Sequence, residues 1–243
     1  MNTKMIKMAL AGVVLSVSGF ANAGLILGIG AASLKGGDLT DLGNNGIEEN
    51  YNGTTDLGGF DAVFFANNEA AFGGGENAFN VFDNKVGGGN DKWCCGSSNV
   101  TSQIVGADFG TTLGQITLSG FTLTSSNDTS GRDPVLWTLQ GSNDTNTGLD
   151  GSWSTIYDHT AGSQWDARNQ VIEYSVALGD FVTPDTFSAF RLNVATTDLQ
   201  SGAFFAVNEL ELFGTIVPVS SPATLALLGL GLAGLGFTRR RKA

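Results

Sequence analysis

Short β-rich runs separated by turn-forming residues fill residues 61–213, and they constrain the fold of this chain more than any other feature. The runs alternate apolar with polar residues or are rich in β-branched and aromatic residues, and clusters such as GSND (141–144) separate them. Outside the two chain ends, no long segment shows the 3.6-residue period of an amphipathic helix. This pattern predicts an all-β sandwich or barrel. The runs are Asp61–Phe65, Gln103–Phe109, Gln115–Thr124, Val135–Gln140, Trp153–Tyr157, Val171–Val176, Ala189–Thr196 and Ala206–Phe213.

The first 23 residues have the layout of a secretory signal peptide. A basic start (MNTKMIK) precedes a short apolar run, and an A-x-A cleavage pattern ends at Ala23. A transmembrane anchor needs about 20 apolar residues, and Ser16 and Ser18 interrupt this shorter run. We expect a signal helix that is removed between Ala23 and Gly24 on export.

The C-terminus carries a second apolar segment. Pro218 and Pro222 precede the run Ala223–Phe237, which has 15 residues. At about 1.5 Å per residue, such a helix is marginal for a hydrocarbon core of about 30 Å. The basic residues that follow are Arg239, Arg240, Arg241 and Lys242. The residues themselves predict a short apolar helix with a basic stop.

This tail, PATLALLGLGLAGLGF followed after one residue by RRRKA, resembles the PEP-CTERM sorting signal of Gram-negative bacteria. That family has a Pro-rich motif, an apolar helix rich in Leu and Gly, and a final Arg cluster. Here VPVSSP stands where the family usually has V-P-E-P. The resemblance implies that residues 216–243 are a sorting signal and that Ala223–Phe237 holds the precursor transiently in the inner membrane. It also implies that an exosortase cuts near Pro218–Pro222 and releases the protein to the cell surface or extracellular matrix.

The mature chain is strongly acidic. The full sequence has 12 Lys and Arg residues against 23 Asp and Glu residues. Six of the basic residues and none of the acids lie in the two removable ends, which leaves 6 basic against 23 acidic residues, a net charge of −17. Such a surface argues against nucleic acid and anionic lipid as partners. It suits a soluble secreted protein, or one that meets divalent cations.

Between the two signals, an ordered set of pieces resembles the discoidin-like domain, also called the coagulation factor V/VIII type C or galactose-binding-like domain. The pieces are ENAFNVFDNKV, NDKW, VGADFG, ITLSGFTLTSSND, RDPVLWTLQGSND, SWSTIYD, FRLNVATT and FAVNELELFG. That family is an eight-stranded jelly-roll β-sandwich, and its ligands bind on variable loops. The resemblance implies this fold for residues 61–215, after an irregular Gly- and Asn-rich arm at residues 24–60.

The sequence lacks the common signatures of catalysis. His159 is the single histidine, and neither a GxSxG nor an HExxH motif is present. Pairs of acids such as Glu48-Glu49 are expected on the surface of any acidic protein. We expect a protein that is not an enzyme.

Discoidin-like domains often hold one structural calcium ion, in the loop after the opening motif, closed by a Glu of the last strand. Matched to that pattern, Asp83 takes the position of the family's Asp and Glu209 that of the closing Glu, while Asp91 stands where Thr or Ser is usual. Calcium prefers several oxygen ligands, mixing carboxylates with carbonyls of a tight loop. The resemblance therefore implies a calcium site at these three residues. The alternative is an Asp that caps its own loop and a Glu that is merely exposed.

A glycan-contact set is suggested by the polar stretch AGSQWDARNQ (161–170). Aromatic faces stack on sugar rings, and Arg, Asn and His side chains then hold the hydroxyl groups. We expect Trp165, His159, Arg168 and Arg132 to contact the glycan. The alternative is that Trp165 packs its own loop against the body of the protein.

The two cysteines, Cys94 and Cys95, are adjacent. Neighbouring Cα atoms are about 3.8 Å apart, below the roughly 4.4–6.8 Å that disulfides prefer. Three interpretations stay open: a strained disulfide between the two neighbours, two buried thiols, and bridges between copies of the protein. Because export favours oxidation, we favour a Cys94–Cys95 disulfide that stiffens the exit of the preceding loop.

Two functions are consistent with these features. The first is a secreted or surface-associated protein that binds extracellular polysaccharide, a cell-surface glycan or biofilm matrix. The second is a structural surface protein that acts through protein contacts and has no sugar site. The second gains if Trp165 and His159 point into the core.

Overall fold

The protein is a sandwich of two antiparallel β-sheets, seen in a computed structural model that describes residues 24–42, 60–68, 75–94, 103–197 and 204–218. The strands are β1 (Leu25–Ile29), β2 (Val63–Ala66), β3 (Trp93–Cys94), β4 (Gln103–Asp108), β5 (Gln115–Ser125), β6 (Pro134–Ser142), β7 (Ser154–His159), β8 (Gln170–Ser175), β9 (Ala189–Thr197) and β10 (Ala206–Val217). Sheet A has the order β1-β8-β5-β10-β3, and sheet B has the order β2-β4-β9-β6-β7. Short 3-10 helices span Ala31–Ser33, Ala78–Phe82 and Ser130–Arg132.

The predicted all-β sandwich is confirmed, with two strands more than the eight expected. Each of the eight β-rich runs overlaps one of the strands β2 and β4 to β10. β1 lies in the arm that was expected to be irregular, and its Ile26 pairs opposite Ile172 of β8. β3 is short and pairs with the start of β10. Both extra strands form on the free edge of a neighbouring strand, β8 for β1 and β10 for β3.

The two predicted terminal helices, the signal helix and the sorting helix, lie outside the described residues. Within the described part of the chain, no helix has the length and apolar character needed to cross a membrane.

Aromatic side chains from both sheets fill the centre of the sandwich. The ring of Phe121 in β5 stacks on that of Tyr174 in β8, with centroids 4.9 Å apart. Trp137 of β6 meets Phe121 edge-on at 6.0 Å. All three side chains are buried, and such ring pairs add about 0.5–1.5 kcal/mol each beyond the burial of their area. This cluster holds the two sheets together.

β10 is the strand that organises the polar interior. It pairs with β5 from Val207 to Val217, the longest pairing in the structure. Its first seven residues are all buried, although Asn208, Glu209 and Glu211 are polar or charged. Because buried polar groups need hydrogen-bond partners, other segments of the chain pack on β10 and bond to its polar side chains.

Glu211 binds the N-terminal arm through hydrogen bonds. Its Oε1 accepts a hydrogen bond from the backbone N–H of Gly36 at 2.7 Å, and its Oε2 accepts from the N–H of Lys35 at 3.2 Å and the hydroxyl of Thr122 at 2.6 Å. Further along, the N–H of Leu39 donates to a backbone carbonyl of β10 at 2.8 Å. The arm therefore lies along β10 as part of the folded domain.

Asp38 is buried within this docked arm. Its Oδ1 accepts hydrogen bonds from the backbone N–H and the hydroxyl of Thr40, at 2.7 Å and 2.5 Å. Burial raises the pKa of Asp38 to about 6, against the effect of these hydrogen bonds and together with repulsion from Glu211 and Asp41. The arm thus carries a carboxyl group whose ionisation is disfavoured by the fold.

Candidate functional site

Two of the four residues expected to contact glycan are buried. Trp165 is 6% exposed and belongs to the main hydrophobic core. His159, at the end of β7, is also buried, and its ring stacks on Trp137 with centroids 5.2 Å apart. This corrects the expectation of an open aromatic platform, because Trp165 packs its own loop onto the sandwich. By the criterion stated above, the structural-protein hypothesis gains.

Arg168, the third residue of the set, is engaged in a bidentate ion pair. Its Nη1 and Nη2 donate to Oδ1 and Oδ2 of Asp133 at 2.6 Å and 2.5 Å. Asp133 is fully buried. A paired guanidinium of this kind is strong and geometrically specific, so Arg168 fixes the β7–β8 connection against the start of β6.

Arg132, the fourth residue, lies at the same end of the sandwich, next to Asp133. Its Nη1 forms an ion pair with Asp128. Its guanidinium carbon is 5.1 Å from the ring centroid of Phe204, within the range of a cation–π contact, and Nη1 lies 3.7 Å from Sγ of Cys94. The structure thus brings the two arginines to one end of the molecule, but it does not combine them with an exposed Trp165.

An open cleft of about 310 Å³ lies beside His159, between β7 with its following turn and the loop after β8. We call it the His159 cleft. Its lining combines the apolar side chains of Tyr157, Phe181 and Val182 with the polar side chains of Asp158, His159, Thr160 and Asp180. Val182 is 84% exposed at the rim, whereas Tyr157 and Phe181 are buried and form inner surface.

The imidazole of His159 is neutral at physiological pH. Burial lowers the pKa of His159, outweighing the hydrogen bond to Gly162 and the attraction of Asp158. Nε2 lies 2.8 Å from the carbonyl oxygen of Gly162. That contact holds the turn after β7, and therefore one wall of the cleft, in place.

Two carboxylates make the potential of the His159 cleft negative. Burial, together with repulsion of the phenolate by Asp180 and Asp158, raises the pKa of Tyr157 to about 12. Asp180 is fixed, since its Oδ2 accepts a hydrogen bond from the backbone N–H of Ser175 at 2.8 Å. Neither Lys nor Arg is among the described residues that line the cleft. The cleft therefore favours neutral or cationic groups over anions.

The three carboxylates expected to bind calcium do not come together. Oδ1 of Asp83 accepts a hydrogen bond from the N–H of Lys85 at 3.1 Å, and Oδ2 of Asp91 accepts one from the N–H of Gly88 at 2.6 Å. In the ranges that the structure covers, no group of three or more His, Cys, Asp or Glu side chains is arranged to hold a metal ion. Asp91 closes a turn of its own loop, and calcium binding stays a prediction.

Glu209 and its neighbourhood nevertheless offer buried oxygen atoms. Glu209 is 1% exposed and pairs across the sheet with Thr124 of β5. The 3-10 helix Ala78–Phe82 packs on β10 and leads into Asn84, which adopts φ = 57°. The side-chain oxygens of Asn84 and Thr124 are buried and have no hydrogen-bond partner among the described residues. Buried oxygens of this kind suit a hard cation.

The Gly-rich loop before Trp93 contains a buried lysine, Lys92. Its Nζ lies 2.9 Å from Oε1 of Glu76. The same ammonium donates to the carbonyl oxygen of Gly89 at 2.7 Å and to Oδ1 of Asn127 at 2.9 Å. Lys92 therefore ties this loop to two other segments of the chain.

Only one of the two cysteines of the predicted disulfide lies within the described residues. Cys94 is fully buried in β3 and pairs across the sheet with Ala206 of β10. Cys95 lies outside the described residues. The Cys94–Cys95 disulfide stays a prediction.

The predicted processing sites lie at the ends of the described ranges. Gly24 has φ = 31°, and a Cβ atom there would lie 2.9 Å from the backbone oxygen of Glu173, so glycine suits this position. Pro218 is the last described residue of its segment, and Ala23 and Pro222 lie outside. The basic cluster outside the described residues is Arg239, Arg240 and Arg241. Both cleavage positions stay predictions.

Sequence reasoning missed most of the His159 cleft. The dipeptide Asp158-His159 at a strand end was a usable signal, because polar residues at strand ends often lie at sites. Asp180 and Phe181 follow a turn some twenty residues later along the chain, and only the packing of the two sheets brings them to β7. No local pattern could have joined them to His159.

Residues 218–242 match the sequence model of the PEP-CTERM protein-sorting motif. The resemblance seen in the tail is thus confirmed, and the motif marks an exported protein that is handled by exosortase. A search of curated proteins found no match to this sequence.

Among the solved structures with a similar fold are carbohydrate-binding modules with the discoidin-like, galactose-binding fold. One is a family 32 module of Clostridium perfringens in complex with GalNAc-β-1,3-galactose (17% identity, TM-score 0.46, 63% of this chain and 95% of that chain). Another is chitosan-binding module 1 from a chitosanase/glucanase of Paenibacillus sp. IK-5 (20%, 0.45, 63% and 96%). A third is the family 32 module of Streptococcus pneumoniae EndoD (14%, 0.45, 63% and 96%). These likenesses concern the fold, and the residues above are assigned from the geometry of this chain.

Proposed function

We propose that this chain is an exported, non-enzymatic carbohydrate-binding protein and that its saccharide site is the His159 cleft. The observation that carries the proposal is the cleft itself, a concavity of about 310 Å³ in which polar groups surround an apolar inner surface. Ligand pockets typically measure about 300–1,000 Å³. The cleft therefore has room for a short saccharide.

The chemistry of the lining matches that of a sugar. A pyranose ring has an apolar face of C–H groups and an equator of hydroxyl groups. Tyr157 and Phe181 supply apolar surface, while Asp158 and Asp180 supply carboxylate oxygens that accept hydrogen bonds from hydroxyls. Hydrogen bonds to a charged acceptor are roughly twice as strong as neutral ones.

The charge of the cleft narrows the class of sugar. Asp158 and Asp180 bring two negative charges without a lining Lys or Arg among the described residues. Like-charge contact disfavours a ligand, so uronate-rich saccharides are the poorest fit. Neutral sugars and amino sugars are the better ligands.

A binding role fits His159 better than a catalytic one. Its Nε2 is committed to the carbonyl oxygen of Gly162, and its ring is stacked on Trp137. A general base would need that nitrogen to reach a reacting proton. We therefore place His159 in the wall of the site, where it shapes the cleft.

A glycan array probed with the purified protein tests this proposal. Among the arrayed sugars, neutral and amino saccharides should bind and uronate oligomers should not. For a saccharide that binds, Asp158→Asn should weaken the affinity about tenfold or more, because a hydrogen bond to a charged acceptor is lost. Asp166→Asn is the matched control, since Asp166 is exposed outside the cleft, and it should leave the affinity unchanged. The proposal fails if no saccharide binds, or if both substitutions have the same effect.

The sorting motif suggests where such binding takes place. The precursor would be held by residues 223–237 and then released by exosortase to the cell surface or extracellular matrix of a Gram-negative bacterium. The ligand available there is the exopolysaccharide or cell-surface glycan of the same organism. Binding to that material would retain the protein at the cell.

We further propose a structural calcium ion near Glu209. Glu209 and Asp83 would supply carboxylate oxygens, and Asn84 and Thr124 would bring the buried side-chain oxygens described above. Bound there, calcium would tie the opening motif to the last strand and order the loop that follows Asp83. Asp91 is not in this ligand set, because its carboxylate closes the turn at Gly88.

A further inference from the structure

The edge of sheet A at β1 is open and apolar. β1 is the outermost strand of the sheet, and β8 is its one strand partner within the described residues. Leu25, Ile26 and Ile29 are 48%, 48% and 59% exposed. An edge strand of this kind presents unpaired backbone groups beside side chains that gain free energy by leaving water. The open edge ends at Ile29, whose carbonyl oxygen accepts a hydrogen bond from the hydroxyl of Ser33 at 3.3 Å.

The other three sheet edges are short, polar or partly covered, features that disfavour pairing with another chain. β3 has 2 residues within the described part of the chain. β7 is polar, with Asp158 and Ser154 exposed. β2 has 4 residues, and the ring of its Phe65 lies 6.1 Å from that of Trp153. Among the described sheet edges, β1 exposes three large apolar side chains against one in β2 (Val63, 36%), and residues 24–34 contain no Asp, Glu, Lys or Arg.

We propose that β1 pairs antiparallel with β1 of a second copy of this chain, so that sheet A continues across two molecules. Antiparallel pairing of one segment with itself is self-complementary and closes into a two-fold dimer. Charge favours this place for the contact. The mature chain has 6 basic and 23 acidic residues, so two copies repel each other over most of their surfaces. The segment 24–34 has no charged side chain, so two copies approach there with less of that cost.

The expected association is weak. A strand of 5 residues forms an interface well below the roughly 1,200 Å² that stable complexes bury. Dimers should therefore form only at high protein concentration, or where many copies are held together on a surface. The contact does not depend on sugar binding, and it gives the structural-protein hypothesis a specific interface.

Sedimentation of the mature protein, recovered from the culture medium, over micromolar to near-millimolar concentrations tests this inference. The wild type should shift from monomer to dimer as the concentration rises. Ile26→Lys should lower the association constant by about tenfold or more, because an apolar contact is replaced by two like charges across the two-fold axis. Leu149→Lys is the matched control: Leu149 is 46% exposed in the β6–β7 connection, and its substitution should leave the association unchanged.

A mixing experiment shows whether the strand pairs with itself. Ile26→Lys and Ile26→Glu proteins should each stay monomeric alone and should associate when mixed, because the charges then attract. Recovery in the mixture also shows that both variants are folded. A wild type that stays monomeric at every concentration overturns the inference and indicates that another segment of the same chain covers β1. It is likewise overturned if Leu149→Lys impairs association as much as Ile26→Lys, or if mixing restores nothing.

Discussion

Asp38 is a buried residue whose ionisation is coupled to the fold. Burial raises its pKa from 3.8 to about 6, so between these values the folded chain binds a proton that the unfolded chain releases. The contribution of Asp38 to the free energy of unfolding is therefore largest below pH 3.8 and is lost as the pH rises to about 6. At about 1.36 kcal/mol per pKa unit, the loss is about 3 kcal/mol. Asp38→Asn, which keeps a hydrogen-bond acceptor for Thr40, should remove this pH dependence of the free energy of unfolding.

The measurement is denaturant unfolding of wild type and Asp38→Asn at several pH values between 3 and 7. The stability of the variant relative to wild type should rise with pH and level off above about pH 6. Asp150→Asn is the control of opposite sign: hydrogen bonds from the N–H groups of Asn146 and Thr147 lower the pKa of Asp150, so that substitution should cost more stability at pH 7 than at pH 3. A difference between wild type and Asp38→Asn that does not vary with pH would contradict the burial argument.

Single residues were predicted well where the local sequence carries the signal, and poorly where burial decides. The Gly- and Asn-rich composition of residues 24–60 predicts an irregular arm, but nothing local says that Glu211, far along the chain, holds part of this arm against β10. The same limit explains Trp165. Its polar neighbours suggested an exposed loop, whereas tertiary packing turned the ring into the core.

At the scale of elements, the junction between the helix Ala78–Phe82 and β10 is where calcium should act. Ligand binding to the folded state alone adds about 2.7 kcal/mol at a hundredfold excess over Kd, which for a domain of this size corresponds to a rise in Tm of about 5–10 °C. Calcium should therefore raise the Tm of wild type and a chelator should lower it. Glu209→Gln should abolish this response.

Glu173→Gln is the matched control for calcium, because Glu173 forms an ion pair with Lys35 and lies in β8, two strands away from Glu209. Its Tm should respond to calcium as wild type does. If the Tm of wild type is the same in calcium and in chelator, no stabilising calcium site exists.

The elements themselves were largely predictable. The eight β-rich runs correspond to strands β2 and β4 to β10 because their alternation of apolar and polar residues reflects a sheet with one buried face. β3 is too short to leave a pattern. β1 was missed because its sequence, LILGI, does not alternate and includes a glycine. Its partner strand β8, not its own pattern, makes it a strand.

At the scale of the whole molecule, export should leave a chain that is shorter at both ends. The released protein should begin at Gly24 and lack Ala223–Phe237 with the basic residues that follow, because the signal peptidase and the exosortase remove the two apolar segments. Intact-mass measurement on extracellular material checks both ends at once. A released protein that still carries Arg239–Lys242 would contradict the C-terminal processing.

The most direct test of the carbohydrate-binding claim is a calorimetric titration with the best saccharide from the array. Ala161→Trp fills the His159 cleft from its exposed rim and leaves the carboxylates in place. Ala32→Trp is the matched control, since Ala32 is exposed outside the cleft. Wild type and Ala32→Trp should bind the saccharide, and Ala161→Trp should not. Unchanged affinity in Ala161→Trp would contradict binding in the His159 cleft and would place the saccharide elsewhere on the molecule.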